Sequence, residues 1–511
     1  MHGLGRARDK PLAPGARVPR ACGADAAHQH PRPGIQAMTV FDIAIVGGGP
    51  AGLAAAERTL AAGLSTCIID EQQRPGGQIL RQPPAAFSVP GWLTGAPYRK
   101  GRTLLAKLSD DAKLHWLGGQ SVLGITPDPA AGAGFTLALS GTMGGVSEVQ
   151  ARRVLVAGGC YDMPVALPGW TLPGVMSAGA VQTLVKAQQV LPGQRMVLFG
   201  THPLMIVLAQ QVIEAGGQVE AVCFAQSFAQ MAKAALAHLP RAIATPAPLI
   251  AAAGGMAALR LAGVQVRYAA PVLRCEGDGQ GGVDQVVIAG PNGEEAIACD
   301  LAAMCYGFLP QADLVRQAGA GVRWSNPAGG WEAVHDDAMR STVPGLYVAG
   351  ETTGVAGSDA AMAEGAIAGL AIAQDAGALN KREAAAAMRG PRSARKAMQG
   401  FIDLLRAVAD PRPWLPAASA ETLLCRCEDI PAGAVDKAIA DALCVGPAFG
   451  ASAIKLRCRA GMGLCQGRSC EHALIRRIAA ARGCGEGEVE GFRPRFPARA
   501  LAITDLLEDA G

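Results

Sequence analysis

Aromatic side chains make up only 4% of the 511 residues, so the interior cannot be organised around stacked rings. It has to be filled by Ala, Val and Leu with backbone at close range, which the 66 glycines permit. No apolar run of about 20 residues escapes interruption by charge or proline, and a membrane-spanning helix is therefore excluded. The formal charge is only +4 and no Lys/Arg cluster is interleaved with aromatics, which argues against nucleic acid as a partner. C-x-x-C occurs nowhere and Cys160 stands alone, so a dithiol of the disulfide-exchanging kind is missing. Nor are the 14 cysteines spread as a disulfide framework. Half lie from Cys425 onward, a clustering that points to metal in a reducing, cytoplasmic setting. Residues 1–37 are rich in Arg, Pro, Gly and His and lack the apolar stretch of a secretory signal, so they read as disordered or as an extension upstream of Met38.

The strongest pattern runs from Phe41 to Gln78, FDIAIVGGGPAGLAAAERTLAAGLSTCIIDEQQRPGGQ. Ile43 to Val46 form a strand-like run; Gly47, Gly49 and Gly52 then take the G-x-G-x-x-G spacing, and an Ala-rich helical stretch follows. The first glycine permits the tight turn and the second lets backbone N–H groups approach a pyrophosphate. The third lets helix and strand pack closely, with the helix dipole facing the anion. Asp70 ends the next strand, about 20 residues on, where a carboxylate accepts hydrogen bonds from an adenosine ribose; Glu71 is the alternative. This combination predicts a dinucleotide cradle.

A second strand–helix–strand pattern starts at Arg195, with strands Met196 to Phe199 and Val219 to Phe224. His202 and Met205 stand where the second and third glycines would be, and no acid ends the second strand, so side chains would crowd a pyrophosphate. NAD(P) is not expected there. His202 reads as an ordinary turn histidine, and His115 and His335 as isolated structural ones. Further on, the strand Leu346 to Ala349 ends in Gly350 and Glu351 before an Ala- and Gly-rich helix. Such a turn can set an acid against the hydroxyls of a bound cofactor.

From Leu423 the chain reads LLCRCEDIPAGAVDKAI, and from Lys455 KLRCRAGMGLCQGRSCEHALIRRI. Cys425 and Cys427 supply one thiolate pair and Cys465 and Cys470 another, in a loop whose Gly461, Gly463 and Gly467 let the backbone wrap a compact anion. Four thiolates on two turns suit a [2Fe–2S] cluster. Tetrahedral zinc competes, although C-x-C is not its usual knuckle, and Cys458 is close enough to replace one of the second pair.

The predicted architecture is α/β. Two dinucleotide-binding, Rossmann-like domains of the disulfide-reductase-like flavoprotein type precede a small, mainly helical [2Fe–2S] domain. Residues 38–165 with 325–380 form the first nucleotide domain and 166–324 the second, degenerate one. Residues 381–420, charged and interrupted by proline, read as a linker or hairpin; 421–485 hold the cluster, and 486–511 are a tail packing back.

The glycine turn with DEQQRPGGQI, the segment YDMPVALPGWTLPGVMSAGA, VPGLYVAGETTGVAG and CRCED with AGMGLCQGRSC together resemble the α subunits of amino-acid- and opine-oxidising flavoenzyme complexes. That family includes octopine and nopaline oxidase, hydroxyproline dehydrogenase and the flavoprotein subunit of hydrogen cyanide synthase. The resemblance implies FAD held by Gly47, Gly49, Gly52 and Asp70, with Gly77 and Gln78 near the isoalloxazine and Gly350 and Glu351 near the ribityl and pyrophosphate. Members commonly carry Asp where this chain has Glu351. The last module is similar to bacterioferritin-associated ferredoxin, which closes its second pair with C-x2-C where this chain has C-x4-C. The implied partners are a flavin-containing β subunit together with a small ferredoxin-like subunit. The expected activity is oxidation of a C–N bond in an amino acid, imino acid or opine, with electrons leaving through iron. An NAD(P)H-dependent ferredoxin-type reductase and a non-catalytic cluster or assembly module are the alternatives, and no residue is nominated as a catalytic base.

Overall fold

Short, wholly apolar runs become the central strands of two parallel sheets, because such strands are covered on both faces. In the computed structural model, residues 40–89, 98–109, 111–128, 134–141, 145–243, 246–277, 279, 281–325 and 329–507 are described; residues 1–37 and the expectation attached to them lie outside this set. Ile43–Val46 is buried along its whole length. It pairs in parallel with Thr66–Asp70 on one side and Val154–Val156 on the other, flanked by Leu114–Gly118 and Leu346–Val348. The last strand enters the sheet only after the chain has built a second one. That sheet is also parallel, in the order Val175–Ser177, Leu301–Cys305, Arg195–Gly200, Gln218–Phe224, Gln265–Arg267.

Helix Pro50–Ala61 follows the glycine turn and packs on helix Ser358–Asp375. At Gly365 an added Cβ would lie 2.0 Å from the carbonyl oxygen of Ala51, so the two backbones approach as only glycine permits. Ile43, Ile45, Leu53 and Ile68 are wholly buried between these layers. Each such side chain contributes about 1.5–3 kcal/mol of transfer free energy. The close packing brings the turn Gly350–Thr353 beside the glycine turn.

One expectation is corrected. Of the linker or hairpin read for residues 381–420, the linker does not form: the first part is a 28-residue helix, Lys381–Val408, that turns back and packs on helix Ser358–Asp375. Asn380 caps it, accepting from the N–H groups of Arg382 and Glu383 while the Glu383 carboxylate accepts from the Asn380 N–H. Pro391 sits inside it, and Arg395 reaches the buried carboxylate of Glu364 at 2.5 Å.

The cysteine-bearing segment folds as the short pair Leu423–Cys425 and Ile430–Pro431 with helices Ala432–Val445, Ala451–Cys458 and Glu471–Arg482. Its core of Leu424, Val435, Ile439, Ile454, Leu474 and Ile478 also takes in Trp324 from the preceding region. The described residues form one compact unit. Among the described residues no helix is long and apolar enough to cross a membrane.

Candidate functional site

The turn after Ile43–Val46 is shaped by two close approaches. A Cβ at Gly52 would stand 1.9 Å from the Gly47 carbonyl oxygen, so only glycine lets the helix start this close to the strand end. Gly77, with φ +60°, presses its backbone on the turn from the other side, where a Cβ would be 2.6 Å from Gly49 Cα. At Gly49 itself an added Cβ would only touch Gly77 Cα, at an ordinary contact distance of 3.7 Å. Asp70 ties the turn to the neighbouring strand: its carboxylate oxygens accept from the N–H groups of Gly48 and Gln72, each at 2.6 Å. Burial pushes its pKa up, and those two donors pull it back.

A cleft of about 1230 Å³ empty volume, counting its mouth, runs along this turn. Gly47, Gly49, Asp70, Glu71, Gly77, Gln78, Gly350 and Glu351 all line it, while Gly52 lies beneath as packing. Backbone N–H groups at a glycine turn, an uncrowded second glycine and an acid at the far strand end make a shape into which an extended dinucleotide fits.

Glu351 faces the inner end of the cleft. Its carboxylate accepts the Cys160 thiol at 2.7 Å, and desolvation raises its pKa. Gln78 donates to the Cys160 carbonyl at 2.6 Å. The Lys186 ammonium in turn holds the carbonyls of Gln78 and Ile79 at 3.3 and 2.7 Å, and burial lowers its pKa to about 8. Glu71 is paired with Arg499 at 2.9 Å and reaches Ser121, so the C-terminal segment forms part of the cleft wall. Arg81, Lys186 and Arg499 escaped the sequence reading, because no local spacing marks them and each arrives from a different part of the chain.

The four predicted cysteines come together. The Sγ atoms of Cys427 and Cys465 are 3.4 Å apart and those of Cys425 and Cys427 4.0 Å apart. Cys470 hydrogen-bonds Cys425, which lowers the Cys425 pKa to about 6. The Gly461 N–H donates to Cys425 Sγ at 3.4 Å, and a Cβ on Gly463 would fall 2.6 Å from Cys427 Sγ. The contacts run in the order 465, 427, 425, 470. Among the described residues no group of three or more His, Cys, Asp and Glu side chains is placed to hold a metal ion as it stands. Cys458 turns away and donates to the Ile454 carbonyl of its own helix. His115 stacks edge-on with Phe41, and His335 bonds the Asp336 carbonyl.

Comparison with known proteins places this geometry. Residues 41–398 match the family model described as pyridine nucleotide-disulphide oxidoreductase. The chain is 32% identical to an opine oxidase subunit of Rhizobium meliloti over 92% of its own length and 87% of the relative's. It is also 32% identical to hydrogen cyanide synthase subunit HcnB of Pseudomonas aeruginosa, over 89% and 95%. Among solved structures, L-proline dehydrogenase from P. horikoshii superposes with a TM-score of 0.63 at 20% identity, covering 92% of this chain and 80% of that one, a likeness of fold. The chain thus belongs to the pyridine nucleotide-disulphide oxidoreductase family and is a flavin-dependent oxidoreductase.

Proposed function

We propose that the protein is the FAD- and [2Fe–2S]-containing subunit of a complex that oxidises the C–N bond of an amino acid, imino acid or opine. The observation that carries this reading is the convergence of the glycine turn, Gly77 with Gln78, and Gly350 with Glu351 on one cleft. The relatives, named as subunits of opine oxidase and of hydrogen cyanide synthase, support the substrate class and the existence of partner subunits.

In this reading the N–H groups from Gly49 into the start of helix Pro50–Ala61 face the pyrophosphate, since those of Gly47 and Gly48 are taken by the Ile69 carbonyl and Asp70. Asp70 keeps lone pairs for a ribose hydroxyl beyond the two backbone donors it already accepts. Glu351 and Gln78 orient the flavin end. Cys425, Cys427, Cys465 and Cys470 serve as thiolates, with Gly461 donating to one sulfur and Gly463 leaving room beside another. When bound, FAD accepts a hydride and its two electrons, and an iron–sulfur cluster takes electrons singly.

The test is purification of the native complex with flavin, iron and sulfide analysis, then a screen of amino acids, proline derivatives and opines with an artificial acceptor. Cys425→Ser and Cys465→Ser should lose iron and sulfide while keeping FAD. Two irons per chain in either variant would overturn the ligand assignment. Rapid flavin bleaching by NADH or NADPH would replace the reading with a reductase, and no colour change with any substrate would favour an assembly module.

A further inference from the structure

Behind the inner end of the cleft lies a second cavity, of about 840 Å³ empty volume, on the side of the degenerate nucleotide domain. Gln78, Ile79, Arg81 and Glu351 line both spaces, so the cavity opens beside the place read above as the flavin end. Its charge is unbalanced. Lys186 is 8% exposed, and its two hydrogen bonds to carbonyls leave a third ammonium proton. The Arg81 Nε is buried without a partner. Among the described residues neither cation is held in a salt bridge, although Asp70 and Glu71 attract the Arg81 guanidinium from further off and the Lys186 ammonium lies over the Tyr98 ring, 5.6 Å from its centroid. Glu351, the one acid lining the cavity, is already engaged by the Cys160 thiol and the Gly357 N–H.

His202 adds a donor. Its Nδ1 accepts the Leu204 N–H at 3.1 Å, so the neutral ring carries its proton on Nε2. Lys186 itself sits in a π-helical turn, Leu184–Gln188, a local irregularity that recurs at functional sites. Leu204, Phe308, Val355 and Leu405 give the cavity an apolar wall, and Gln182 and Thr183 add polar side chains. Keeping the Lys186 ammonium charged out of water with only carbonyl acceptors is costly, and an anionic ligand in the cavity would offset that cost.

We infer that this cavity binds the carboxylate of a small amino, imino or keto acid, held by Lys186, Arg81 and the His202 ring, with its short apolar side chain against Leu204, Phe308 and Val355. The site would thus present the acid's α-carbon region toward the cleft. The inference rests on the FAD reading only for what occupies that neighbouring cleft.

The experiment is calorimetric titration of the full chain with isobutyrate and with its uncharged isostere isobutyramide, alongside FAD content measured by visible absorbance. Isobutyrate should bind saturably and at least tenfold more tightly than the amide. Lys186→Met and His202→Leu should each weaken it tenfold or more. Lys186 also holds the carbonyls of Gln78 and Ile79, whereas His202 does not touch that loop, so His202→Leu decides if the first variant misfolds. Equal affinity for acid and amide, no binding, or an unaffected His202→Leu variant would overturn the site. A flavin-loaded chain indifferent to isobutyrate overturns the cavity and leaves the cofactor reading standing. A chain that holds no flavin but shows the predicted acid binding does the reverse.

Discussion

Gly49 and Gly52 belong to the same motif but answer to different forces. A Cβ at Gly49 makes only ordinary contact, with Gly77 Cα at 3.7 Å, while one at Gly52 overlaps the Gly47 carbonyl. Gly49→Ala should therefore fold with near-normal Tm and lose FAD, read from the ratio of visible to ultraviolet absorbance. Gly52→Ala should cost about 2 kcal/mol or more in stability, measured by denaturant unfolding, because backbone has to move. His202 carries a pH prediction. Its ring is sheltered inside the cavity, and desolvation lowers its pKa from 6.5 to about 4. Between those values the unfolded chain takes up a proton that the native chain refuses, so acid destabilises the fold, by about 2 kcal/mol at pH 5 relative to pH 7.5. His202→Gln should flatten that part of the stability–pH curve; an unchanged slope would mean that the ring is solvated.

The elements that the sequence made legible are those with local chemistry. A strand running into G-x-G-x-x-G and then an Ala-rich helix needs no distant partner to be read, and Ile43–Val46, Pro50–Ala61 and Thr66–Asp70 appear in that order. The helix Lys381–Val408 was hidden by its charges and by Pro391, although Asn380 with Glu383 spells a capping box. What makes it an element of the fold is tertiary: Arg395 meets Glu364, whose other oxygen accepts from the Gly350 N–H and the Thr353 hydroxyl. Removing the cation leaves a carboxylate 3% exposed without its partner. Arg395→Met should cost about 3 kcal/mol and loosen the Gly350 turn, seen as faster amide exchange there. Exchange unchanged at Gly350 to Thr353 would detach that helix from the cleft.

Across the whole molecule, the cysteine-bearing segment is joined to the nucleotide-binding half through buried polar contacts. Arg316 pairs with Glu471 at 3.3 Å, donates to the Phe492 carbonyl and stacks over Trp331. Trp170 donates to the Leu423 carbonyl at 2.7 Å. Arg316→Met should cost about 3 kcal/mol, because Glu471 would remain buried without its cation. The loss should concentrate in faster amide exchange between Leu423 and Phe492; a uniform change over the chain would refute a local joint.

By itself the sequence determined the parts whose physics is local: the glycine turn, the strand periodicity around it, the lack of any C-x-x-C, and the pairing of cysteines on two short turns. It could not show which cations reach those parts. Glu71 meets Arg499 across 428 residues, and Lys186 grips the carbonyls of Gln78 and Ile79 from more than a hundred residues away. Hydrogen bonds of that span leave no spacing in the chain, since their geometry exists only once the separate sheets and helices have packed together. The cavity beside Lys186 is decided in the same way, by packing rather than by pattern.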